Sequence, residues 1–134
     1  MSTPFRPQLI GETEKTVNAL LRRFLEGTGL TEPEWVTLRL ADVLDGRVGA
    51  DGLAAAVADR AHFPDAADLV SELTDRGLLD DGQLTPAGRE LTAGVQATIA
   101  TETAAIWDDL PADDVVATTR VLNEVVTRAR AVLG

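Results

Sequence analysis

An all-α chain with one small β-hairpin is the fold class this sequence predicts, and three observations predict it. Apolar residues recur every three or four positions over most of the chain, which is helical spacing. Glycine and proline separate these periodic stretches at short intervals. One Asp-Gly pair, Asp81-Gly82, stands between two short apolar pairs, where a tight turn needs positive φ.

Residues 8–26 place Leu9, Thr16, Val17, Leu20, Leu21 and Phe24 on one side of a first helix. Glu14, Lys15, Asn18, Arg22 and Arg23 fall largely on the other, and Gly27 and Gly29 end it. Thr31-Glu-Pro-Glu34 is a capping box: the threonine hydroxyl accepts from a free N–H, and the glutamate three residues on reaches back. The second helix it opens carries Trp35, Leu38, Leu40 and Leu44 and stops at Asp45-Gly46. Asp51 is expected to cap a third helix, with Leu53, Val57 and Ala61 on one face. His62-Phe63-Pro64 breaks that helix, and Pro64 suits the first turn of a fourth, where its missing N–H costs nothing.

The fourth helix carries Ala66, Leu69 and Leu73 and ends at Gly77. Leu78-Leu79-Asp80 and Gln83-Leu84-Thr85 form the hairpin arms. Thr85-Pro86 opens a long helix marked by Leu91, Val95, Ile99, Ile106 and Leu110, running up to Pro111. A last helix over 112–133 repeats the pattern with Val115, Thr119, Leu122, Val126, Ala129 and Leu133. Val116, Val121, Val125 and Val132 lie off that stripe. Because a surface helix needs only one apolar stripe, the extra valines suggest burial in a dimer rather than in the chain's own core.

The 134 residues suit one domain, large enough to hold a core without staples. With no cysteine and one histidine, a disulfide framework and a thiolate or imidazole metal site are out of reach. No apolar run approaches the ~20 residues of a membrane span. The N-terminus lacks the basic-then-apolar layout of a signal peptide, so a soluble cytoplasmic protein away from membranes is expected. A net charge of −10 opposes unselective binding to nucleic acid or anionic lipid. No nucleophile–base constellation, phosphate loop or His-x-x-x-His spacing is present, and neither an enzyme nor a cofactor is expected.

Residues 69–91 carry a more specific pattern. Leu69-Val-Ser-Glu-Leu-Thr-Asp-Arg-Gly-Leu-Leu79 is followed by Leu84-Thr-Pro-Ala-Gly-Arg-Glu-Leu91. A helix ending in Arg-Gly-Leu, a ribbon, and then Leu-Thr-x-x-Gly-Arg resembles the core of the MarR (multiple antibiotic resistance regulator) winged-helix family. Gly29-Leu-Thr-Glu-Pro-Glu-Trp35 is similar to that family's opening of its second helix. The resemblance covers about residues 8–133. It implies a single domain over 1–134, with a winged helix-turn-helix core at 31–85 and dimerisation helices at 8–28 and 86–133. It also implies a homodimer, a duplex-reading helix in each subunit and, often, a small-molecule effector pocket.

Aligned on Pro64, the DNA-facing positions are Arg60, His62, Phe63, Asp65, Ala67, Asp68 and Arg76, and the wing tip is Asp80, Asp81, Gly82 and Gln83. Where the family has hydroxyls and guanidiniums, this chain has a phenyl, a methyl and two carboxylates. Residues 31–89 hold five arginines against twelve acidic residues, a net of −7 on the part that would face a polyanion. Carboxylates accept from cytosine N4 but repel phosphate. The expectation is therefore a homodimeric regulator that binds double-stranded DNA weakly or atypically. The alternative is an acidic winged-helix dimer that binds a protein or small ligand instead.

Among single residues, His62 at its helix junction suits a loop hydrogen bond better than pH sensing. Trp35 suits core packing, with a pocket wall shared with Arg39 as the second reading. Trp107 packs either across a dimer or on its own subunit. Asp80-Asp81 reads as a solvated turn rather than a metal site.

Overall fold

A computed structural model describes residues 2–134. Six helices and one hairpin follow in order: α1 (Pro7–Leu25), α2 (Glu32–Leu44), α3 (Ala50–Ala61), α4 (Ala66–Asp75), β1 (Leu79–Asp80), β2 (Gln83–Leu84), α5 (Pro86–Trp107) and α6 (Ala112–Leu133). The chain divides into two compact units, Met1–Ile99 and Ala100–Gly134. The division falls inside α5.

The first unit is built on α2, α3 and α4, which pack against one another, with α1 on α2 and the hairpin against α2 and α4. Leu38, Leu53, Leu73, Leu79 and Val57 are wholly buried, with Leu25, Leu30, Trp35, Leu69, Val70 and Leu84 around them. Each such side chain stabilises the fold by roughly 1.5–3 kcal/mol through burial alone. The first half of α5 contributes Leu91, Val95 and Ile99 to this core.

Local chemistry explains most boundaries. Thr31 and Glu34 form both bonds of the capping box at the start of α2. Thr85 caps α5 by accepting from the Gly88 amide at 3.0 Å while its own hydroxyl donates to the Gly77 carbonyl. The hairpin pairs Leu79 with Leu84 and Asp80 with Gln83, and Asp81 and Gly82 both have positive φ (50° and 80°), the turn the dipeptide announces.

Three expectations need correction. Asp51 does not cap α3: the N-cap is Gly49, and Asp51 lies one residue inside the helix. Pro64 is not in the first helical turn, because α4 begins at Ala66 after a turn through Pro64 and Asp65. The left-handed backbone at His62 (φ 58°) redirects the chain first. Finally, α5 ends at Trp107 rather than at Pro111, and its Ile106 is exposed, as is Leu110 beyond it. The sequence period continues past the point where the core stops.

The second unit comprises the end of α5, the turn to Pro111, and α6. Not one residue of α6 is buried. Its helix holds through local interactions: Asp113 and Asp114 in the first turn and Arg130 in the last complement the helix dipole.

Candidate nucleic-acid interface

The two faces of α4 differ sharply. Ala66, Leu69, Val70 and Leu73 are buried against the core. Asp65, Asp68, Glu72 and Asp75 are all exposed, and their 3-4-3 spacing lines them up on the outer side. At 1.5 Å per residue, this carboxylate row extends about 15 Å, roughly three helical turns. Ala67 is exposed beside it, with Ser71 and Thr74.

Arg76, at the C-cap of α4, is engaged with the start of α2, where Glu72 of that row also reaches the Glu34 carboxylate. Its guanidinium donates to the Glu34 carboxylate at 3.0 Å and to the Gly29 carbonyl at 3.3 Å, tying the end of α4 to the start of α2. Glu34 is itself buried. Burial raises its pKa, but the Thr31 backbone N–H, the Thr31 hydroxyl and the Arg76 charge outweigh that and hold the carboxyl below the usual glutamate range. The pair links residues 42 apart in sequence, so no local pattern announced it. The sequence offered Glu34 only as a cap and Arg76 as a DNA-facing position by the resemblance.

The other arginines of residues 31–89 are Arg39, Arg47, Arg60 and Arg89, the last lining a shallow pocket with Asp42 and Asp45. Arg39 is part-exposed and faces Asp42 at 3.6 Å. Arg47 lies in the connection before α3, and Arg60 sits in the last turn of that helix. Arg60 and His62 are exposed at the α3–α4 junction, and Phe63 is part-buried, packed against the core. Contrary to expectation, the imidazole of His62 makes no hydrogen bond among the described residues.

The hairpin tip also departs from a projecting loop. Asp81 Oδ1 accepts from the Ala50 amide at 3.2 Å, so the tip supplies the N-terminal cap that α3 lacks locally. Gly82 is buried with its Cα against the α2–α3 connection, where a Cβ would come within 2.7 Å of the Gly49 carbonyl oxygen. Gln83 lies over Gly46, where a Cβ would meet its Nε2 at 2.6 Å. Glycines at both ends of the contact allow the close approach, and the turn is clasped rather than free. Asp80 alone of the two adjacent aspartates remains simply exposed. Among the described residues no group of three His, Asp or Glu side chains is placed to hold a metal.

Trp35 is buried in the core beside Leu38, and Arg39 stays part-exposed with Asp42. Trp107 is half exposed at the end of α5. Among the described residues, no helix is long and apolar enough to cross a membrane. Compared with family models, curated proteins and solved structures, the chain matches none.

Proposed function

We propose that this chain is a homodimeric regulator of the MarR-like, winged helix-turn-helix kind whose duplex-reading face has become acidic. Its contact with double-stranded DNA is accordingly weak and rests on few cations. Support for the scaffold comes from the element order: three packed helices, a hairpin returning onto the α2–α3 connection, and long helices after it. Support for the dimer comes from α6, which exposes Val115, Val116, Val121, Leu122, Val125, Val126, Val132 and Leu133. Ile106, Trp107 and Leu110 before it are exposed as well, more apolar surface than a helix facing only solvent needs. A small-molecule effector remains part of the proposal through the family resemblance alone.

One observation carries the weak-binding reading: the outer row of α4 is four carboxylates, and its adjoining arginine is spent on Glu34. The test is a gel shift with the DNA just upstream of the chain's own gene, run at low salt. Affinity should fall with salt at a shallow slope, about −0.9 per phosphate neutralised and only a few phosphates in all. A slope typical of many phosphate contacts would refute the charge argument. Replacing Asp65 with Thr and Asp68 with Arg should strengthen unselective DNA binding, and an unchanged affinity would mean that α4 does not face the duplex.

The same row favours a second reading, in which the acidic dimer binds a basic protein segment and no DNA. Salt-sensitive capture of a Lys- or Arg-rich partner, abolished when Asp68 and Glu72 are replaced by Asn and Gln, would support it. Recovery of DNA fragments alone would end it.

A further inference from the structure

One stripe of α6 is self-complementary. Asp114, Thr118, Val121, Val125, Arg128 and Val132 follow at 4-3-4-3-4 spacing, which places them on one face, and all are exposed. About Val121 the two charged residues of this stripe are placed symmetrically and with opposite sign: Asp114 lies seven residues before it and Arg128 seven after. Arg120, Val121, Glu124, Val125 and Arg128 also line a shallow groove along the helix. An acid and a base fourteen residues apart, with Val121 and Val125 between them, describe half of a two-fold seam.

We propose that α6 pairs antiparallel with α6 of a second copy of this chain, crossing at Val121, with Asp114 of each copy against Arg128 of the other. The proposal rests on the homodimer reading and specifies its geometry. An isologous interface requires each patch to complement itself, and here only the antiparallel direction does so. A parallel pairing sets Asp114 against Asp114 and Arg128 against Arg128. The antiparallel direction also opposes the two helix dipoles favourably. Arg128 now donates to Glu124 at 2.9 Å, but that pair is 79% and 55% exposed and contributes little that the seam must replace. The neighbouring stripe of Val115, Leu122, Val126 and Leu133 stays free to meet other helices of the dimer.

The absence of cysteine makes the test clean. In the full chain, Val121→Cys should give a covalent dimer on mild oxidation, because the crossing residue meets its own copy. Val132→Cys should not, since the seam sends it away from its counterpart. Efficient crosslinking at both positions would show a parallel seam and overturn the proposal. Asp114→Arg and Arg128→Asp should each weaken dimerisation, about tenfold in Kd at low salt, and the double reversal in one chain should recover most of that loss. No α6 residue is buried, so the circular dichroism of these variants should match the parent. A wild-type chain that sediments as a monomer at every concentration overturns both the seam and the dimer reading. A dimer that neither charge reversal weakens, and that Val121→Cys does not crosslink, overturns the seam alone.

Discussion

Leu53 in α3 and Leu122 in α6 are the same side chain on helices of similar amphipathic pattern, yet the first is fully buried and the second more than a third exposed. In the first unit the apolar stripes of α2, α3 and α4 converge with the hairpin into one core, and two of its polar exceptions are bonded in turn: Glu34 to Arg76, Thr37 to the Pro33 carbonyl. In α6 a helix with apolar stripes of its own meets nothing within its own unit that buries it. Hydrophobic periodicity therefore reports that a face wants burial, without saying what buries it. One region satisfies the demand within the chain; the other leaves its apolar side chains exposed.

Substitutions can break or sharpen that contrast. The largest effect is expected at Leu53→Ala, which should lower stability by about 2–5 kcal/mol by opening a cavity in a core that cannot collapse around it. Chemical denaturation monitored by tryptophan fluorescence reads it through Trp35, and a loss below 1 kcal/mol would place Leu53 outside a close-packed core.

Next comes Glu34→Gln, which keeps the capping-box shape but removes the charge facing Arg76. About 1–2 kcal/mol should be lost at neutral pH. Because the folded carboxyl titrates below its ordinary value, its contribution is present above the unfolded pKa of 4.5 and disappears as pH falls through the lowered folded value. Wild type and variant should thus converge in stability on the acid side of that point. Parallel curves down to strongly acid pH would mean that the Arg76 pair contributes nothing.

Asp81→Ala should cost about 1 kcal/mol by stripping the cap from α3, with faster amide exchange at Ala50 as the local sign. If exchange there is unchanged, the hairpin tip is not clasped. Thr92→Val should act in the other direction. The Thr92 hydroxyl is buried without a partner, so replacing it with a methyl is expected to stabilise by up to about 1 kcal/mol.

The smallest change is reserved for Val126→Ala. Measured at concentrations too low for association, it should alter unfolding by less than about 0.5 kcal/mol, as for other exposed sites. A core-sized loss would erase the distinction between the two regions.

Much of the secondary structure was determined by the sequence itself. The helices, the Thr31–Glu34 and Thr85 caps and the Asp81-Gly82 turn follow from side chains acting on backbone within about four residues, where spacing alone fixes the geometry. The acidic face of α4 was equally readable, because a 3-4-3 run of carboxylates lies on one side of any helix. Only tertiary structure decided that Arg76 turns inward to Glu34, that Asp81 caps a helix 31 residues away, and that the apolar stripe of α5 is exposed by Ile106. These depend on which surfaces the packed core brings together. Contacts between residues distant in the chain leave no period in the sequence between them.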